Sequence, residues 1–153
     1  MDSRVVSWAE FGRLVEDLVS KIKTSNHTYD LVIGIARGGI PAALEIANRL
    51  NLKIDFVNIK SYLNDHTKQK PQILSTLSEK VEDRKILIVD DIIDSGDTME
   101  TIIGWLNQQK PVSIETTALF VKPWSKFTPT YTVGTVKEWI IFPWEDDEFT
   151  EPN

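Results

Sequence analysis

Apolar residues recur at two spacings along this chain, one typical of helices and the other of buried strands. Ser7 and Glu10 form the capping box S-x-x-E, in which each side chain can satisfy a free N–H of a first helical turn. After this box, apolar residues return every three or four positions, which predicts an amphipathic helix with one core-facing stripe. The stripe consists of Trp8, Phe11, Leu14, Val15, Leu18, Val19 and Ile22.

Short continuous apolar runs predict the strands of a sheet. They are LVIGIA (31–36), IDFVNI (54–59), KILIVD (85–90) and TTALFVK (116–122), with a further strand near 131–133. Helical segments separate them. One begins at Pro41, because proline suits the first turn of a helix, and ends near Leu50; another runs from Thr98 to about Lys110. This alternation predicts an α/β fold, a twisted parallel sheet flanked by helices on both faces.

Two segments lie outside that alternation. Residues 61–78 are polar and long for a connection within a compact domain, so we expect a mobile functional loop. Residues from about 123 to 153 include the aromatic run EWIIFPWE, and we expect them to form a small C-terminal hood. The acidic run 146–148 is expected to be a solvated tail. Because no repeat or linker divides the chain, residues 1–153 are expected to form a single domain.

Composition and charge exclude several function classes. The net charge is -6, which argues against a nucleic-acid-binding face. The absence of cysteine excludes disulfides and thiolate catalysis and fits a reducing cytoplasm. The sequence has no signal-peptide pattern and no apolar run near 18 residues, so we expect a cytoplasmic protein without a membrane span.

The stretch ILIVDDIIDSGDT (86–98) places three acids and a small polar turn directly after a buried strand. Ligands of open α/β sheets bind beyond the carboxyl ends of strands. The turn from Ser95 to Thr98 enters a helix, and its backbone N–H groups can bind a phosphate there. Carboxylates repel phosphate, so Asp90, Asp91 and Asp94 should face sugar hydroxyls, a divalent cation or a reacting base. Helix capping alone needs only one such acid.

This stretch resembles the motif that binds 5-phosphoribosyl 1-pyrophosphate (PRPP) in type I phosphoribosyltransferases. The resemblance implies that Asp90 and Asp91 contact the ribose hydroxyls and that Asp91 helps to place Mg²⁺. It implies that Asp94 is the catalytic residue, exchanging a proton with N7 of a purine. The 5′-phosphate would be cradled by Ser95, Gly96, Asp97 and Thr98.

Other segments resemble the same family. Ala36-Arg37-Gly38-Gly39 is similar to its pyrophosphate loop, which often contains a non-proline cis peptide; Arg37 and Gly38 would bind PRPP there. Ser61-Tyr62 and the polar segment after it resemble the mobile loop of the purine enzymes. Within that segment Lys68, or alternatively Lys70, would contact pyrophosphate.

The C-terminal third resembles the bacterial xanthine–guanine and archaeal purine enzymes of the family. The resemblance implies that Trp139 stacks on the base, that Lys122 donates to its O6, and that backbone near Ile140 and Glu145 reads the base edge. A lysine ammonium is only a donor, so it suits a carbonyl and opposes the amino group of adenine. Trp144 is expected to pack in the core. Ile141 stands where the bacterial enzyme has an acid, which leaves the preferred purine open.

The function implied is purine salvage: transfer of phosphoribosyl from PRPP to guanine, xanthine or hypoxanthine, with Mg²⁺ as cofactor and a homodimer or homotetramer as the assembly. Two alternatives remain at this point. One is an adenine phosphoribosyltransferase, because Ile141 departs from the bacterial pattern. The other is a non-catalytic PRPP-sensing regulator, which the acidic net charge and the base-stacking segment disfavour.

Overall fold

The computed structural model describes residues 2–60 and 70–145, together with the backbone of 63–64 and 67–68. Within these residues, three helices and ten strands follow one another in a mostly alternating order. The helices are α1 (Trp8–Thr24), α2 (Ile40–Leu50) and α3 (Asp97–Asn107). The strands are β1 (Ser3–Val5), β2 (Leu31–Ala36), β3 (Lys53–Lys60), β4 (Leu63–Asn64), β5 (Thr67–Lys68), β6 (Gln72–Ile73), β7 (Lys85–Ile93), β8 (Ser113–Val121), β9 (Tyr131–Thr135) and β10 (Trp139–Ile141).

A six-stranded sheet in the order β6-β3-β2-β7-β8-β9 forms the centre of the fold. All neighbours pair in parallel except β6, which pairs antiparallel with β3 at one edge. Every strand predicted from an apolar run is present in this sheet. Parallel strands direct their carboxyl ends to one edge, so the segments that follow β2, β3, β7, β8 and β9 all emerge there.

The side chains of β7 divide between two cores, one on each face of the sheet. Leu87 and Val89 pack with residues of α1 and α2, whereas Ile86 and Ile88 pack with residues of α3. This alternation follows from the two-residue period of a strand. A run of apolar residues without polar interruptions is what a strand covered on both faces requires, and the predicted helices on both faces are confirmed.

Two details of α1 differ from the sequence prediction. The Ser7 hydroxyl accepts the Glu10 N–H at 3.1 Å, so the cap is present. The Glu10 carboxylate, however, accepts a hydrogen bond from Arg4 instead of returning to Ser7. The periodicity places Trp8 in the core stripe, but its side chain is 60% exposed, with the ring against Phe11 and Trp144 at the rim of the core.

The other helices begin as predicted within one residue, and α3 ends three residues early. Pro41 lies in the first turn of α2. α3 ends at Asn107, whereas the apolar pattern predicts an end near Lys110. Lys110 has a φ of 57° and precedes Pro111, and a residue before proline is disfavoured in the helical region.

The N-terminal strand β1 has no counterpart in the sequence prediction, and it joins the C-terminal segment. Ser3 to Val5 pair in parallel with Trp139 to Ile141, so the hood is built from both ends of the described chain. The segment 61–78 also contains paired backbone, with β4 against β5 and β6 on the main sheet. The acidic run 146–148 lies outside the described residues. In the part of the chain that is described, no helix has the length and apolar character to cross a membrane.

Candidate active site

The loops after β2 and β7 meet at the carboxyl edge of the sheet because these two strands are neighbours. Gly38 lies against the carboxylate of Asp91, so closely that a β-carbon on Gly38 would come within 2.3 Å of Asp91 Oδ2. A side chain at position 38 would therefore displace the carboxylate. The RGG turn and the acid-rich turn form one continuous surface, as their proposed roles on one ligand require.

The RGG turn begins with the cis peptide that the resemblance implies. The bond between Ala36 and Arg37 is cis. Gly39 donates its N–H to Ile35 O at 2.8 Å and Ile40 donates to Arg37 O, which folds the turn back onto the end of β2. Arg37 is exposed, and its side chain makes no hydrogen bond or ion pair with the described residues. Its guanidinium is thus available to an anionic ligand.

Asp90 and Asp91 are consecutive residues in the second half of β7. Burial raises the pKa of Asp90 well above its ordinary value, and repulsion from the neighbouring Asp91 carboxylate raises it further. Burial also raises the pKa of Asp91. The Asp91 N–H donates to Asp90 Oδ1 at 2.8 Å, and the Ile92 N–H donates to Asp91 Oδ1 at 2.7 Å. Two adjacent carboxyl groups with little access to water favour a ligand that is positively charged or carries hydroxyl groups.

The acid pair is compatible with a magnesium ion. Its oxygens are hard ligands of the kind that Mg²⁺ prefers, and Mg²⁺ is commonly held by one or two carboxylates with water and substrate phosphates completing the shell. Within the described ranges, no three His, Cys, Asp or Glu side chains come together as a metal site. The protein alone therefore offers part of a coordination shell, which fits an ion that arrives with a phosphorylated substrate.

The turn after Asp94 forms the N-terminus of α3. Gly96 occupies the N-cap with a φ of 96°, a left-handed conformation that glycine adopts without strain. The N-cap glycine has no side chain to cap the helix, and Ser95 Oγ accepts the Asp97 N–H at 3.2 Å. Ser95, Gly96 and Thr98 line a cleft that also includes Asp90 and Asp94. The positive dipole end of α3 favours a phosphate at this turn.

The structure connects Asp94 to the base-binding segment through Trp124. The indole Nε1–H of Trp124 donates to Asp94 Oδ1 at 2.5 Å. The Lys122 ammonium lies 5.5 Å from the centre of the Trp124 ring. It donates to the backbone carbonyls of Lys137 and Glu138, next to Trp139. The predicted proton acceptor, the predicted O6 donor and the predicted stacking residue are thus linked by consecutive contacts.

Trp139 and Ile140 present different groups to the site. The Trp139 side chain is 59% exposed, as a ring that stacks on a ligand must be, whereas Ile140 is buried. Trp139 N donates to Asp2 O and Ile141 O accepts from Val6 N, so these two residues bond to the N-terminal segment. Because successive carbonyls of a strand point in opposite directions, the backbone groups of Ile140 face the other edge, where they can meet a base.

Glu145 and Trp144 complete the C-terminal turn. The Glu145 carboxylate accepts the Phe142 N–H at 2.8 Å, and its own N–H donates to Phe142 O. Trp144 stacks on Phe142, with ring centres 4.7 Å apart and planes 5° apart, and meets Phe11 edge-on. Trp144 is half-buried and packs against the core, so its predicted role is structural packing at the edge of the core. The Glu145 side chain is used to close the turn.

The comparison with known proteins decides the family. Residues 3–147 match the phosphoribosyl transferase domain. The chain belongs to this family. Xanthine-guanine phosphoribosyltransferase of Idiomarina loihiensis is 29% identical to this phosphoribosyltransferase over 92% of the chain and 85% of the relative. Hypoxanthine-guanine phosphoribosyltransferase of Bacillus subtilis is 30% identical over 78% and 68%, respectively. The crystal structure of a purine phosphoribosyltransferase from Pyrococcus horikoshii has a TM-score of 0.85 and 29% identity, with 95% of each chain covered.

The sequence patterns of this phosphoribosyltransferase predict no role for two residues that contact the site, Trp124 and Phe127. Trp124 lies in the C-terminal segment that resembles the purine enzymes of the family, but the resemblance assigns it no role. Phe127, whose β-carbon faces Gly96, belongs to no motif. Their contacts join positions far apart in sequence, so no local pattern indicates them. The side chains of Tyr62 and Lys68 lie outside the described residues, and Lys70 is exposed.

Proposed function

We propose that this phosphoribosyltransferase salvages 6-oxopurines. It would transfer the 5-phosphoribosyl group from PRPP to guanine, xanthine or hypoxanthine, releasing pyrophosphate and the nucleoside monophosphate. The names of the relatives from Idiomarina loihiensis and Bacillus subtilis support this substrate class. The observation that carries the proposal is the run of contacts from Asp94 through Trp124 and Lys122 to the backbone beside Trp139.

The arrangement suits a displacement at the anomeric carbon of ribose. Purine N9 forms a bond to C1′ while the bond from C1′ to the pyrophosphate oxygen breaks, and the electron pair leaves with pyrophosphate. The proton that the base loses passes from N7 to Asp94, a role for which a carboxylate at the end of β7 is suited. Arg37 offers two forked donors and a permanent charge to the departing pyrophosphate. Stabilising developing charge in this way is usually the largest catalytic contribution.

Asp90 and Asp91 would contact the ribose hydroxyls of PRPP, and Asp91 would also hold Mg²⁺. When bound, Mg²⁺ would supply positive charge against the pyrophosphate leaving group. The remaining binding is done by the chain itself. The N-terminus of α3, with Ser95, Gly96, Asp97 and Thr98, would bind the 5′-phosphate, and Gly38 would line the pyrophosphate side. The pyrophosphate contact expected of Lys68 concerns a side chain outside the described residues.

Three groups read the base in this proposal. Trp139 covers its face, and such stacking contributes about 1–3 kcal/mol. Lys122 donates to O6, since two carbonyls fix its ammonium and a third N–H remains for a ligand. Backbone of Ile140 and the turn at Glu145 meet the edge of the ring. Adenine carries an amino group at position 6, which a lysine donor opposes.

A turnover assay tests the proposal. The purified protein is incubated with PRPP, Mg²⁺ and one base at a time, and nucleotide is measured by chromatography. We expect product with at least one of guanine, xanthine and hypoxanthine and much less with adenine. Product with adenine alone would refute the 6-oxopurine assignment. PRPP binding without turnover on any base would instead support a sensing role, and a parallel binding assay with RNA and DNA would identify a regulator.

A further inference from the structure

One indole in the site has a hydrogen-bond partner that the transfer reaction itself uses. Trp124 is 54% exposed, so burial does not explain its position. Its Nε1–H is directed at Asp94, the carboxylate that the proposed function assigns to the proton of purine N7. We propose that Trp124 is a positioning residue for Asp94, an inference that rests on the proposed function and extends it.

The backbone around both residues supports this role. Lys122 N donates to Ile93 O at 2.9 Å, and Lys126 N donates to Ser95 O at 3.1 Å. The residues immediately before and after Asp94 are therefore each tied to the segment 122–126. Trp124 lies midway between the two donors, Lys122 and Lys126. Its partner Asp94 lies between the two acceptors, Ile93 and Ser95. The hydrogen bond from the indole thus lies between two backbone hydrogen bonds, which fix the position of Trp124 relative to Asp94.

Two further contacts restrain the segment that carries Trp124. Ser125 N donates to Lys122 O at 3.0 Å, which closes a turn around the tryptophan. Phe127 packs so closely on Gly96 that a β-carbon there would lie 2.5 Å from Phe127 Cβ. Since the turn is restrained at both ends, the indole N–H is presented in one direction, and the cost of ordering it is met before substrate binds.

The two carboxylate oxygens of Asp94 have different surroundings. Oδ1 accepts from Trp124, and Oδ2 accepts no hydrogen bond within the described part of the chain. A carboxylate bound through one oxygen cannot rotate freely, so its other oxygen keeps a fixed direction and remains available to a ligand. Catalysis depends strongly on such orientation, because a displacement of about 1 Å can cost about a hundredfold in rate.

A pair of substitutions isolates the N–H from the ring. Trp124→Phe keeps an aromatic side chain and removes the donor. Trp124→His keeps a donor, because imidazole is a five-membered ring like that of the indole and its Nε2–H can occupy the place of Nε1–H. Trp8→Phe is the matched control, since Trp8 is similarly exposed (60%) but packs on α1 and Trp144.

We expect Trp124→Phe to lower kcat about tenfold, the scale of one hydrogen bond to a charged group, with the KM for PRPP within about twofold. Trp124→His should retain kcat within about threefold of wild type, and Trp8→Phe should match wild type. Unfolding temperatures measured on all variants separate catalytic loss from folding loss. Equal losses in Trp124→Phe and Trp124→His would overturn the proposal, as would an increase only in the KM for the base.

A measurement on the folded protein complements the kinetics. In spectra of protein labelled with ¹⁵N-tryptophan, the Trp124 Nε1–H resonance should move on Asp94→Ala substitution, while that of Trp8 stays in place. An unmoved Trp124 resonance would refute the hydrogen bond. Wild-type protein without turnover on any purine would overturn the proposed function itself. Wild-type turnover with full kcat in Trp124→Phe would overturn only the role of Trp124.

Discussion

Substitution of Gly96 by alanine tests whether the turn from Ser95 to Thr98 and the segment 122–127 form one structural unit. Gly96 has a φ of 96° and lies at the N-cap of α3. An added β-carbon would be 2.5 Å from Phe127 Cβ and 3.1 Å from Phe127 N. Because one of these neighbours is backbone, a rotamer change cannot relieve the overlap. The segment carrying Trp124 must move away from the turn that carries Asp94.

The expected loss of stability has two contributions. A non-glycine residue in the left-handed region costs about 1–2 kcal/mol. Overpacking against a restrained neighbour costs about 1–3 kcal/mol. Together they amount to about 2–5 kcal/mol, and for a chain of this length each kcal/mol shifts the unfolding temperature by about 2–4 °C. We therefore expect Gly96→Ala to lower Tm by about 4–20 °C.

Gly104→Ala is the matched control on the same helix. Gly104 lies inside α3, and a β-carbon added there would meet no described atom within 4 Å beyond its own stretch of helix. Replacing an unhindered glycine in a helix by alanine stabilises by about 0.5–1 kcal/mol. Calorimetry should give a higher Tm for Gly104→Ala and a lower one for Gly96→Ala, which should also raise the KM for PRPP about tenfold. Equal Tm values for the two variants would refute the close packing of Phe127 on the turn.

Four further predictions concern single residues. Asp94→Asn should retain PRPP affinity by calorimetric titration and lose about a hundredfold in kcat, the scale of general-base catalysis; full turnover would refute its role. Lys122→Ala should narrow the preference for guanine over adenine in competition assays, and an unchanged ratio would contradict the O6 contact. Trp139→Ala should weaken base binding by about 1–3 kcal/mol, measured as the KM for the base, with little effect on PRPP. Asp90→Asn should raise Tm at neutral pH. Burial, and then repulsion from Asp91, raise the pKa of Asp90 in the folded protein. The folded state therefore loses stability as the pH rises above the pKa that aspartate has in the unfolded chain. This gain should disappear below about pH 4, where aspartate is protonated in both states, and a gain that persists there would refute the electrostatic explanation.

Local sequence determined the three helices, the five strands predicted from apolar runs and the turn that follows β7. The strand β7 and the turn after it lie within one stretch of the chain, so one motif contains the strand end, the three acids and the turn from Ser95 to Thr98. Periodicity predicted α1 and the buried strands because core-facing positions repeat with the period of each element. The two-sided core follows from the same signal, since β7 is apolar at successive positions.

Tertiary structure decided what joins these pieces. The contact between Trp124 and Asp94 spans 30 positions, and the pairing of β1 with β10 brings Ser3 beside Trp139. The exposure of Trp8 likewise depends on where Trp144 lies and not on helical spacing. Hydrogen bonds within one helix or turn join residues a few positions apart, so sequence patterns can predict them. Contacts between loops depend on which strands are neighbours in the sheet, and that order is settled only when the two cores pack.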